Sequence, residues 1–268
     1  MFLTGLNFAL LDWWQLILLA VLFFVTSVVG VVTGSNSLIT VPVMFQFGID
    51  PRVAVATNMF GLTFLSVGGT LPFLGTGNIS RRYVTPLLLV TLAGSIIGAL
   101  LVLVVPAAAL PMIVSIAMLG VSAYILLARN PGRELDPEPR SRTSEVAAYV
   151  ATFVLGIYGG FYSGGYVTLL TAGLVGLLGL RFVEAVATTK VINVVSSLSA
   201  TLIFMWRGLI DYKLGLILGV VMFFGAFVGA RVALKLNEIW LRRIFVATVV
   251  VLALKIMIFD FLLKGSLH

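Results

Sequence analysis

Cysteine is absent from the 268-residue chain, and histidine occurs once, at the last position, His268. These absences exclude disulfides, thiolate metal sites, cysteine nucleophiles and an imidazole proton relay. Charge is also scarce, at 10% of residues where a soluble globule carries about 25%. The acidic residues Asp12, Asp50, Glu184, Asp211, Glu238 and Asp260 lie near presumed helix ends, so a carboxylate proton relay inside a span has little support. Ser163, within Gly160-Phe161-Tyr162-Ser163-Gly164, has no embedded histidine or obvious lysine base to activate it. Neither an enzyme nor a bound metal or cofactor is expected.

Apolar sequence fills the rest. Hydrophobic residues make up 60% of the chain and the mean hydropathy is +1.17, which places it in a bilayer. Its apolar runs are long rather than short and alternating, so helices are favoured over a barrel. The net charge of +7 resides in short loops and at helix ends, where it acts as an orientation signal and implies no nucleic-acid partner. Met1 to Leu11 lacks Lys or Arg ahead of its apolar run, so it does not read as a cleaved signal.

Eight apolar segments lie between charged breaks: Trp13 to Gly48, Val53 to Leu74, Val84 to Val105, Ala107 to Ala128, Val146 to Gly179, Ala185 to Trp206, Leu214 to Ala230 and Ile244 to Leu263. Most match the roughly 20 residues of a helical span. The first and fifth are too long for one crossing. Gly30, Gly34 and Ser35-Asn36-Ser37 interrupt the first, and Gly159, Gly160, Ser163, Gly164 and Gly165 interrupt the fifth. Each therefore reads as a helix, a kink and a short second helix. The Pro-rich, charged stretch from Arg129 to Ser144 divides a first transmembrane repeat (1–128) from a second (145–268), with Ser144 as a candidate cap for the helix that follows.

The two halves superpose on an offset of 131 residues. Ala54-Val55-Ala56-Thr57 falls on Ala185-Val186-Ala187-Thr188, and Gly34, Gly48, Gly77, Gly94 and Gly98 fall on Gly165, Gly179, Gly208, Gly225 and Gly229. Such duplication is a frequent ground plan of transporters. Two topologies remain open. If the short helices re-enter, each half has four crossings and the halves are parallel; if they cross, each has five and the halves are inverted. Lys and Arg then gather on one side, with both termini outside, so the positive-inside rule favours inversion.

Lys190 is the sharpest single position, since a lysine within a span costs at least about 2.5 kcal/mol. Thr188, Thr189 and Asn193 surround it with polar groups. It reads as an anion-binding residue, or as a lysine paired with Glu184 or with backbone carbonyls. Thr57 and Asn58 occupy the matching place in the first half, where Met59 stands opposite Lys190. Ser35-Asn36-Ser37 and Ser163-Gly164-Gly165-Tyr166 precede the short helices and put hydroxyls, an amide and backbone N–H groups at helix N-termini. The Gly94/Gly98 and Gly225/Gly229 pairs read as close helix packing. Lys255, with Asp260 five residues on, suits snorkelling or a local ion pair. Trp13, Trp14, Trp206 and Trp240 read as interfacial belt residues, and Arg231 as an anchor or an entrance guard.

The stretches Gly30 to Pro42, Pro51 to Asn58, Gly156 to Gly165 and Ala185 to Thr189 resemble the sulfite exporter TauE/SafE family of anion permeases, and the likeness covers almost the whole chain. Family members usually carry a glycine triplet where this chain has Ser35-Asn36-Ser37, and a proline near Gly173. The resemblance implies an all-α polytopic membrane protein that moves small organosulfur anions or sulfur oxyanions, such as sulfite, thiosulfate or sulfoacetate, across the bacterial inner membrane. Alternating access by a secondary transporter, with H⁺ or Na⁺ as a possible coupling ion, is the leading expectation. An anion channel is the alternative, and a non-transporting membrane scaffold is a third.

Overall fold

The computed structural model describes residues 12–34, 36–127, 141–236 and 240. Ser35, most of the linker, and the stretch with Lys255, Asp260 and the last apolar segment lie outside the described residues. Among the described residues the chain is helical and contains no strand. The helices are α1 (Trp13–Thr33), α2 (Ser37–Gln46), α3 (Pro51–Thr70), α4 (Val84–Val104), α5 (Leu110–Leu127), α6 (Arg142–Phe161), α7 (Tyr166–Leu178), α8 (Phe182–Trp206) and α9 (Tyr212–Lys235). Six of them, α1, α3, α4, α6, α8 and α9, are long and apolar enough to cross a membrane.

The few carboxylates start helices. Asp50 accepts from the N–H groups of Arg52 and Val53 ahead of α3, Glu184 accepts from Arg181 N–H ahead of α8, and Asp211 accepts from Leu214 N–H ahead of α9. Each satisfies donors that a helix start leaves open. The cap of α6 is Ser141, which accepts from Ser144 N–H, so helix already occupies the last three residues assigned to the linker. Ser144 has a different role: its hydroxyl donates to the Leu177 carbonyl at the end of α7, at 2.6 Å.

That bond fixes the shape of the broken segments. The start of α6 and the end of α7 meet, so the chain reverses at the break instead of kinking onward. Ser163 (φ 66°) and Gly165 (φ 76°) make the reversal in the left-handed region, as Gly34 (φ 67°) does after α1. At α1 and α2 the direction follows from neighbours. Gly225 and Gly229 of α9 lie against the backbone of Phe24 and Val28, so α1 and α9 run parallel. Asp211, before α9, meets Thr57 near the start of α3, which puts the beginnings of α1, α3 and α9 at one end of the bundle. Because α3 begins where α1 does, α2 must lead back to that end of the bundle and does not re-enter from the far one.

The central pair, α3 and α8, runs antiparallel. Thr63 meets Thr201 (3.2 Å), and Asn193 donates to Ser66 (2.7 Å), so rising numbers on one helix meet falling numbers on the other. Both are buried around most of their circumference. Against them α4 packs parallel to α6 through glycine. A Cβ on Gly94 would lie 2.6 Å from the Phe153 carbonyl, and one on Gly98 would strike the Ile157 carbonyl. The Gly-x-x-x-Gly pairs are thus contact surfaces for backbone on backbone. Outside, Trp13, Trp14, Trp206 and Trp240 are exposed near span ends.

A buried lysine between two broken helices

The reversals of α1–α2 and α6–α7 meet inside the bundle. Gly34 packs so closely on α7 that a Cβ there would lie 2.6 Å from Thr168 N. Thr168 Oγ1 donates to the Thr33 carbonyl, and Tyr162 OH, from the end of α6, donates to the Ser37 carbonyl at 3.0 Å. Tyr158 OH donates to the Gly164 carbonyl and sits edge-on to the Tyr162 ring, with centroids 6.2 Å apart. Two helix N-termini, those of α2 and α7, therefore converge. Their unpaired N–H ends and dipoles make such a junction favourable to negative charge.

A small cavity lies at this junction, of about 10 Å³, close to the room one water needs. The first reversal and α2 contribute Asn36 and Ser37, the second reversal and α7 contribute Ser163 and Val167, α3 contributes Leu62 and Leu65, and α8 contributes Lys190 and Asn193. Ser163 is the only described non-glycine residue with positive φ, a conformation that costs about 1 kcal/mol and holds this serine at the cavity wall.

Lys190 is fully buried, and its ammonium donates to the Gly30 carbonyl at 3.2 Å. That leaves two of its three N–H donors without a protein acceptor among the described residues. No described carboxylate pairs with it, since Glu184 is engaged at the α8 start. Of the two pairings the sequence allows, the structure has the carbonyl. A buried ammonium without a counter-charge is costly, and a bound anion would supply that counter-charge. Asn193 donates to Ser66, and its Oδ1 is buried with no partner among the described residues. If the amide turns over, Ser66 donates to Oδ1 and the NH₂ faces the cavity.

The other candidate residues divide by their partners. Asn36 lines the cavity, but its amide is tied into α1 and α2, with Nδ2 donating to Ser27 (3.0 Å) and Oδ1 accepting from Thr40 (3.3 Å). Asn58 donates to Ser37 Oγ and accepts from Thr40, so it braces the α2 start from behind. Thr57 and Thr188 lie away from the cavity and accept from Asp211 N–H and Ser80 N–H, at 3.0 and 3.1 Å. Thr189 donates to the Val186 carbonyl and meets Thr171. Gly164 lies under the Tyr162 ring, Gly165 against Val121, and the Tyr166 hydroxyl is buried without a hydrogen-bond partner among the described residues. Ser35 lies outside the described residues. Sequence reasoning did not identify Leu62, Leu65, Ser66 or Tyr162 as part of the site.

This architecture defines a class: a polytopic helical membrane protein with a buried, cation-bearing polar site between two broken helices. The chain belongs to the Sulfite exporter TauE/SafE family, whose profile matches residues 18–256. It is 30% identical to a probable membrane transporter protein, ORF9, of a Sinorhizobium species over 90% of this chain and 92% of that one. The probable membrane transporter protein YfcA of Escherichia coli K12 is 29% identical over 90% of each chain, and a probable membrane transporter protein of Haemophilus influenzae 28% identical over 94% and 97%. No solved structure matches. The chain is thus a multi-pass membrane protein of a transporter family and not an enzyme.

Proposed function

We propose that this protein is a secondary transporter that moves a small sulfonate or sulfur oxyanion across the bacterial inner membrane by alternating access between two inverted repeats. The observation that carries the reading is Lys190, a buried cation with a carbonyl and no described carboxylate beside it, where two helix N-termini meet. One positive charge and several hydrogen-bond donors suit the oxygens of such an anion. The cavity is smaller than any of these anions, so the helices around it must part to admit one. In a duplicated fold, rocking one half against the other does this.

Several features support inversion. The offset of 131 that aligns the sequences carries the start of α3, Pro51, onto the first residue of α8, Phe182. It also relates two hydrogen bonds reciprocally: Asp211 to Thr57 becomes Ser80 to Thr188 with the halves exchanged. Matching helices α3 and α8 run antiparallel, as inverted repeats require. Gly34, Gly48 and Gly77 have positive φ, as do their partners Gly165, Gly179 and Gly208. Arg81, Arg82, Arg142, Arg181 and Lys235 share one end of the bundle and Arg52, Arg207 and Lys213 the other, which makes the first end cytoplasmic by the positive-inside rule.

The test is flux into proteoliposomes of purified protein. Saturable uptake of labelled sulfite or a sulfonate, accelerated by the same anion preloaded inside, supports a carrier. Conductance far above carrier turnover with no countertransport would instead make it a channel. Cysteine substitutions at Arg82 and Arg207, labelled from outside in a chain with no native cysteine, report the topology. Labelling of both from the same side would refute the inverted arrangement.

A further inference from the structure

We infer that the cavity selects anions by charge, taking singly charged sulfonates and rejecting doubly charged ones; this rests on the proposed function and narrows its substrate class, setting aside the doubly charged thiosulfate and sulfoacetate. Lys190 is the one cation among the described residues that line the cavity. The other described cations that have identified partners face elsewhere. Arg52 donates to the Val105 carbonyl, Arg82 pairs with Glu145, Arg207 lies over the Trp206 ring and Arg231 over the Phe227 ring. A monoanion against Lys190 gives a neutral complex, which a low-dielectric site accommodates. A second negative charge has no counterpart there.

The remaining walls reinforce the limit. On the α3 side Leu62 and Leu65 offer only hydrocarbon, and on the α2 side the Asn36 amide is committed to Ser27 and Thr40. Asn193, at the polar wall, has a buried oxygen without a partner among the described residues, and an amide that turns over supplies donors but no charge. Ser37 and Ser163 add hydroxyls, which ease a single sulfonate group and do not neutralise a second. Leu62 stands at the repeat position of Asn193, so the first half supplies neither the lysine nor the amide of the second.

Ethanesulfonate and 1,2-ethanedisulfonate share a two-carbon chain and differ by one sulfonate, so the pair isolates charge. Thermal unfolding of the purified full chain is titrated with each at fixed ionic strength, which converts midpoint shifts into affinities. Ethanesulfonate should bind at least about tenfold more tightly than the disulfonate. Lys190→Gln should weaken ethanesulfonate by a similar factor or more, and Leu62→Lys, where it yields monodisperse protein, should move the preference toward the disulfonate. Equal or tighter binding of the disulfonate by the unaltered protein would overturn the charge rule while leaving an anion transporter standing. No shift with either anion, or with sulfite, would overturn the transport reading and this inference with it.

Discussion

On the proposed reading of two inverted repeats, the halves share a scaffold but not a site. In the first, Met59, Leu62 and Val32 occupy the places that Lys190, Asn193 and Ser163 hold in the second. Met59 is buried as completely as Lys190, so the difference is one of chemistry and not of exposure. Features present in both halves build helices and turns, and features present in only one supply charge and hydrogen bonds. In such a design the break in symmetry makes the site, because two buried lysines facing each other would repel.

The largest expected effect tests the shared scaffold. Gly34→Val puts a side chain into a left-handed position where even a Cβ lies 2.6 Å from Thr168 N, and it should cost about 3 kcal/mol or more, read as loss of monodisperse protein. Gly48→Ala is the control: it also has positive φ, but open space surrounds it, so it should cost only about 1 kcal/mol.

Moving the charge across the pseudo-symmetry sharpens the comparison. Met59→Lys combined with Lys190→Met should insert and fold yet fail to transport, since Leu62 and Val32 offer no donors beside the new lysine. Recovered flux would mean that the halves are interchangeable. Asn193→Leu, which copies the first half into the second, should weaken anion binding by about tenfold, seen in the concentration dependence of uptake.

The smallest effects belong to the reciprocal ties. Thr57→Ala and Thr188→Ala should each lower thermal stability by about 1 kcal/mol, nearly equally, and leave the apparent affinity for the anion unchanged. Clearly unequal losses would weaken the case for a two-fold relation.

Much of the architecture was legible from the amino acids. Long apolar runs and glycine-rich interruptions located nearly every described helix, because hydrocarbon leaves the backbone few alternatives. Lys190, Asn193, Asn36, Ser37 and Ser163 were singled out in the sequence because polar groups in a span demand a reason, and the structure lines one cavity with them. The direction of α2 and α7 was not, since a reversal and a kink use the same glycines and only a distant contact, Ser144 with Leu177, distinguishes them. Nor was the orientation of Thr57, Thr188 and Thr189. α3 and α8 are buried on nearly every face, so an apolar stripe does not mark which face meets the cavity, and these hydroxyls turned out to serve loops and neighbouring helices. The role of Leu62 and Leu65 was hidden because leucine in a span is the default residue.

The central claim is that one buried lysine is the anion's counter-charge. Countertransport of labelled sulfite or a sulfonate by Lys190→Gln, in protein whose elution profile and thermal unfolding match the original, tests it most directly. The account predicts that flux falls to the level of empty liposomes, and undiminished flux would contradict it.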